Sequence, residues 1–127
     1  MPKKILIVDD EPMIREIFKE AFEAAGFVVH EAQNGREAFR FVTSDSYDCV
    51  LSDVRMPGGD GIELAKSIHQ MPGRKPKVFL VTGYSDGNIQ QAIEYGVERI
   101  FDKPFDFKDV LDCIRKSVQE TLVHGPG

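Results

Sequence analysis

Four short clusters hold the side chains with the most chemical potential: Asp9-Asp10-Glu11, Asp53, Thr82-Gly83 and Lys103-Pro104. Singly, each has an ordinary structural explanation: a solvated acidic pair, a strand-end cap or a turn. As a set they point to one chemistry. Asp9, Asp10 and Asp53 held close would repel unless a cation lay between them. Hard carboxylate oxygens suit Mg2+ better than zinc, which favours nitrogen and sulfur. Lys103 cannot bind that metal, but it can bind an anion brought to it. A phosphoryl group bridging Mg2+ and Lys103, with Thr82 donating to another oxygen, satisfies every member, and phosphoryl transfer needs mainly positioning and charge neutralisation. Asp53 is the most economical nucleophile: its carboxylate attacking phosphorus gives an acyl phosphate that water can later remove. Asp9 and Asp10 share a turn and read as the metal pair.

Such a set forms only if the chain brings four distant segments to one edge. β-rich runs occur at Lys4–Val8, Val28–Ala32, Cys49–Ser52, Lys77–Thr82 and Arg99–Asp102, and amphipathic stretches lie between and after them. One carries Ile14, Ile17, Phe18, Ala21, Phe22 and Ala25 on a single helical face; the last carries Val110, Leu111, Ile114, Val118 and Leu122. Asn34 with Glu37, Asp60 with Glu63 and Asp106 with Asp109 mark helix starts, Pro12 suits a first helical turn, and Gly26 and Gly96 suit helix ends. The order βαβαβαβαβα implies a parallel sheet with right-handed crossovers and helices on both faces. Ile5–Val8 and Val78–Val81 are apolar without alternation, as strands covered on both sides require. In such folds ligands bind beyond the carboxyl ends of the strands, where all four clusters fall.

Composition narrows the classes further. At 127 residues and 42% hydrophobic content the chain reads as one globular domain, spanning 1–127 with a core over about 4–123 and a frayed or linker-like 124–127. A net charge of -5 and the lack of a basic cluster disfavour direct binding of nucleic acid or an anionic membrane. No apolar run has the length of a membrane span, and the N-terminal run ends at Asp9, too early for a signal peptide. Cys49 and Cys113 have no metal-ligand spacing and read as small buried or half-buried thiols. His30, His69 and His124 are scattered and read as solvated or helix-face residues. A cytoplasmic location is expected. Gly58-Gly59 lacks the lysine and serine of a phosphate-cradling loop, so it is read as a strand-to-helix connection.

Val8-Asp9-Asp10-Glu11, Asp53 followed by Met56-Pro57-Gly58-Gly59-Asp60-Gly61, Val81-Thr82-Gly83 and Lys103-Pro104-Phe105 closely resemble the motifs of the response-regulator receiver family. The resemblance runs from Lys4 to about Val123. It implies an α/β fold: a doubly wound, five-stranded parallel sheet of the flavodoxin-like (βα)5 type with strand order 2-1-3-4-5. It implies a signalling phosphoacceptor rather than an enzyme. Asp53 would take a phosphoryl group from a histidine kinase, a histidine phosphotransfer protein or a small phosphodonor, in a Mg2+-dependent reaction. Asp10 would ligate the metal directly, Asp9 mainly through water, and Asp53 and the Arg55 carbonyl would complete the protein ligands. Thr82 and Lys103 would contact phosphoryl oxygens, and Lys103-Pro104 would be joined by a cis peptide. Arg55 and Tyr84 stand where family side chains tune hydrolysis of the phosphoaspartate, and their bulk predicts slow decay. Output would pass to a downstream protein or a second copy through the face of the last two helices and last strand.

One departure stands out. Receivers usually carry Tyr or Phe three residues before the active-site Lys, where this chain has Ile100. Phe101 follows, but adjacent strand residues point to opposite faces, so it is read as core. Activation is then expected to run through Thr82 and the helix beginning near Asp86. Three other functions are compatible with parts of the pattern. A haloacid-dehalogenase-like phosphatase would use similar residue types, but with its nucleophile in a DxD motif after the first strand. A degenerate receiver would serve only as a docking surface, and a flavodoxin-like cofactor binder would not need the carboxylates.

Overall fold

The computed structural model describes residues 2–83 and 89–123. Tyr84, the helix start near Asp86, His124 and the tail at 124–127 lie outside the described residues, as does the Leu122 side chain. Strands and helices alternate: β1 (Lys4–Val8), α1 (Pro12–Ala24), β2 (Val28–Ala32), α2 (Gly35–Ser44), β3 (Cys49–Asp53), α3 (Gly61–His69), β4 (Lys77–Thr82), α4 (Ile89–Glu94), β5 (Arg99–Asp102) and α5 (Phe107–Val123). All strand pairs are parallel, in the order β2-β1-β3-β4-β5. The expected doubly wound sheet is therefore the observed one, and its β1/β3 neighbours form the switch point where such sheets bind ligands.

Strand alternation divides the core in two. Leu6, Val8, Val50, Val78 and Leu80 face one way and pack with Ala38 and Val42 of α2, Ile62, Leu64, Ala65 and Ile68 of α3, and Ala92 of α4. Ile5, Ile7, Cys49, Leu51, Phe79, Val81 and Phe101 face the other way and pack with Phe18 and Phe22 of α1 and Val110, Ile114 and Val118 of α5. Covering both faces is what removes polar alternation from the central strands. Phe101 is core, as its parity predicts, while Ile100 is half-buried on the opposite face, packed against the cluster of Leu6, Val50 and Leu80.

The helix signals act as predicted at three starts: the Asn34 side chain accepts from the Glu37 N–H, Asp60 from the Glu63 N–H and Asp106 from the Lys108 N–H. Pro12 opens α1. Gly26 and Gly96 take positive φ of 93° and 75° where their helices end.

Two readings need correction. Ile17 lies at the margin of the apolar stripe of α1 and remains 39% exposed, because the stripe centres on Phe18 and Phe22. His30 is not merely solvated. It is half-buried on β2, with its Nδ1 2.7 Å from the Tyr47 hydroxyl, because its register partner Leu6 sets it on the face covered by α2. No helix among the described residues is long and apolar enough to cross a membrane.

Candidate functional site

Each site residue stands at the point where its strand runs out. β1 stops at Val8, and the Asp9 N–H extends its ladder by one bond, to the Ala32 carbonyl at 3.1 Å. Asp53 is the last residue of β3, and the next N–H, of Val54, donates to the Val81 carbonyl at 3.0 Å. Thr82 closes β4, and the Lys103 N–H past β5 donates to its carbonyl at 2.9 Å. Because β1, β3, β4 and β5 are consecutive neighbours in register, their ends make one continuous edge.

At that edge Asp9, Asp10 and Asp53 each offer a carboxylate oxygen, and the three oxygens lie within 4.8 Å of one another. Asp9 and Asp53 are buried, at 8% and 6% exposure, whereas Asp10 is exposed. Lys103 Nζ lies 3.2 Å from Asp53 Oδ2, with the ammonium half out in solvent. Thr82 is buried, and its Oγ1 donates to the Gly83 carbonyl at 3.0 Å. The loop carrying Lys103 is anchored by aromatic packing. Phe105 stacks on Phe18 of α1 at 5.7 Å between ring centroids, and Phe107 meets Phe18 at 4.6 Å. Lys103–Pro104 is a cis peptide, as the resemblance implied.

The electrostatics match the crowding. Burial, with the nearby charges of Asp53, Asp10 and Glu11 adding to it, pushes the Asp9 carboxyl from 3.8 up to about 6, against the pull of the Glu11 N–H. Burial also raises Asp53, while the charge and hydrogen bond of Lys103 pull it back down. Among the described residues, three close carboxylates with the Lys103 ammonium paired to Asp53 are a donor set short of positive charge. All-oxygen ligands left partly open to water fit a hard divalent cation such as Mg2+. Arg55 is exposed on the β3–α3 loop, where its carbonyl was assigned to the same ion.

Sequence reasoning gave no role to three contributors. Ser52 is fully buried, and its hydroxyl donates to the Asp53 carbonyl at 2.8 Å. Its signal was a polar residue inside the apolar run Cys49-Val50-Leu51. Gly61 opens α3 so close to β3 that a Cβ there would sit 2.3 Å from the Asp53 carbonyl oxygen. A glycine just inside a helix start, where it lowers helix propensity, was the available hint. Arg15 donates from Nη1 to the Asp9 carbonyl at 2.7 Å. In the sequence it is one more charge on the polar side of α1, with nothing to single it out.

A family model for the response regulator receiver domain matches residues 5–115. Sporulation initiation phosphotransferase F of Bacillus subtilis is 38% identical over 117 residues, which cover 91% of this chain and 94% of that protein. A CheY-like receiver domain protein from Methanospirillum hungatei superposes with a TM-score of 0.89 at 30% identity, covering 98% of this chain and 100% of its own. The response regulator TrrA from Thermotoga maritima, solved in complex with Mg2+ and BeF, superposes with a TM-score of 0.78 at 35% identity, covering 90% and 97%.

Proposed function

The chain belongs to the response regulator receiver domain family, the phosphoacceptors of two-component signalling, and on that premise we propose that Asp53 is the residue that takes the phosphoryl group. The observation that carries this assignment is the 3.2 Å ion pair between Lys103 Nζ and Asp53 Oδ2 beside the Asp9–Asp10 turn. Of the three carboxylates, Asp53 is the one already held by a cation able to follow the charge onto a phosphoryl oxygen.

In the reaction an Asp53 carboxylate oxygen forms the new bond to phosphorus. The P–N bond of a phosphohistidine breaks, its electron pair goes to the imidazole nitrogen, and that nitrogen takes up a proton. Hydrolysis returns the carboxylate and inorganic phosphate. Asp9, Asp10, Asp53 and the Arg55 carbonyl would hold Mg2+, whose charge would offset that of the carboxylates and of an incoming phosphoryl group. Lys103 transfers its ion pair to a phosphoryl oxygen, and Thr82 turns its hydroxyl from the Gly83 carbonyl to another. Arg55, with Tyr84, screens the acyl phosphate from water.

The chain is a stoichiometric signalling acceptor, not a turnover enzyme. Its donor is a histidine kinase or phosphotransfer protein, and its output passes through the face of α4, β5 and α5 to a downstream protein or a second copy. Two free thiols, Cys49 and Cys113, fit the reducing cytoplasm; cell fractionation checks that placement.

The test is mass analysis after treatment with acetyl phosphate and MgCl2. Native protein gains one hydroxylamine-labile phosphate per chain, and the gain is lost on adding EDTA or on Asp53→Ala. After donor removal, native label outlasts that of a chain with Arg55 and Tyr84 both cut to Ala. Equal labelling of the Asp53→Ala protein refutes the assignment, and steady turnover of a phosphomonoester supports a phosphatase in its place.

A further inference from the structure

Asp9 is tied down at three points. Its N–H donates to the Ala32 carbonyl at 3.1 Å, its Oδ1 accepts from the Glu11 N–H at 2.9 Å, and its carbonyl accepts from Arg15 Nη1 at 2.7 Å. The first bond continues the β1–β2 ladder and the second closes the local turn. The third comes from a side chain further along α1, which neither strand pairing nor the turn requires.

Arg15 is itself held. Its Nε donates to Glu31 Oε1 at 3.3 Å, and Lys19 Nζ lies 3.9 Å from the other Glu31 oxygen. The Arg15 side chain is 15% exposed. Glu31 stands on β2 opposite Ile7, one register step before the Val8–Ala32 pair from which Asp9 departs. Two edges of one rigid guanidinium therefore link α1, the end of β1 and β2, a geometry that an ammonium on a flexible stem does not reproduce.

Resting on the reading that Asp9 and Asp10 hold Mg2+, we propose that Arg15 is a positioning residue for the metal site. With Glu31 fixing it, Arg15 clamps the Asp9 backbone so that the two adjacent carboxylates are presented at the spacing the cation needs. Groups one bond removed from the ligands commonly set metal affinity in this way.

The sign of the effect separates this role from plain electrostatics. A positive charge beside a cation site repels the cation, so removing Arg15 tightens Mg2+ binding if its charge is all that matters. If it positions the turn, removing it weakens binding.

Mg2+ titrations followed by the backbone amide resonances of Asp9, Asp10 and Asp53 make the comparison, with chemical-shift dispersion reporting the fold. Arg15→Gln weakens Mg2+ by about tenfold or more, and Arg15→Lys, which can reach one partner but not both, weakens it less. Lys108→Gln removes one exposed positive charge without touching Asp9, Arg15 or Glu31 and leaves affinity equal or tighter. Acetyl phosphate labelling of Arg15→Gln returns to the native level once Mg2+ is raised to saturation. If Arg15→Gln does not fold, Arg15→Lys carries the test. Unchanged or tighter Mg2+ binding in a folded Arg15 variant overturns the positioning role. Failure of the native chain to show Mg2+ shifts at these amides overturns the metal assignment instead.

Discussion

Asp9 pays for its burial at the end of β1, with Asp53 and Asp10 close by. With its carboxyl moved from 3.8 to about 6, the folded chain binds more protons than the unfolded chain between about pH 4 and pH 6, so stability falls as pH rises through that window. The displacement corresponds to a loss of up to about 3 kcal/mol at pH 7. Asp9→Asn removes the charge but keeps an oxygen for the Glu11 N–H. In EDTA, urea denaturation should find it more stable than native by up to that amount at pH 7, with the difference vanishing below about pH 4. Equal stability at pH 7 would show that the carboxylate is not under strain. Asp53 is shifted in the same direction but is relieved by Lys103, so of the two, Asp9 should dominate the pH response. The identity of these residues was legible from their strand-end positions. Which of the adjacent pair is buried was not, because Asp9 and Asp10 differ only in how the turn after β1 leaves the sheet.

At the level of elements, the β3–α3 connection is as constrained as the acceptor. The Gly61 N–H donates to the Val54 carbonyl at 2.8 Å, and the helix begins against the Asp53 backbone. Gly61→Ala forces that contact apart. It should cost at least about 1–3 kcal/mol, the usual range for overpacking, and reduce phosphate labelling even under conditions where the protein stays folded. Native-like stability and labelling would mean that the helix shifts freely. The preceding Gly58 and Gly59 adopt positive φ of 85° and 126°, a backbone that the strand-to-helix turn needs and that glycine takes without strain. Strand positions and the helix caps were legible because apolar runs and Asn34, Asp60 and Asp106 act locally. The exposure of Ile17 and the burial of His30 were not, since each depends on what packs against the element from elsewhere in the chain.

Across the whole molecule, the proposed route of a signal from Asp53 runs by Thr82 to the face covered by α4. Thr82 ends β4, and Ile100, like Tyr95 and Val97, is partly buried against the core that contains Ala92. An isoleucine there can repack but has neither a ring to rotate nor a hydroxyl to rebond. Adding Mg2+ and beryllofluoride, a stand-in for the phosphoryl group, should shift amide resonances at Thr82, at Ile100 and along α4, with Ile93, 61% exposed, on the responding surface. Shifts confined to residues up to 82 would point to an output insensitive to phosphorylation. The sequence by itself determined the alternation of strand and helix, the two-faced core and the convergence of Asp9, Asp10, Asp53, Thr82 and Lys103. These follow from periodicity and from the rule that parallel sheets gather their functional groups at the strand ends. Only the tertiary structure decided that Arg15 grips the Asp9 backbone, that Ser52 and Gly61 press on the Asp53 backbone, and that Asp9 carries the electrostatic strain. Each of these depends on strand register, backbone approach or burial at ångström scale; Ser52 and Gly61 stand out in the sequence, but what they touch does not.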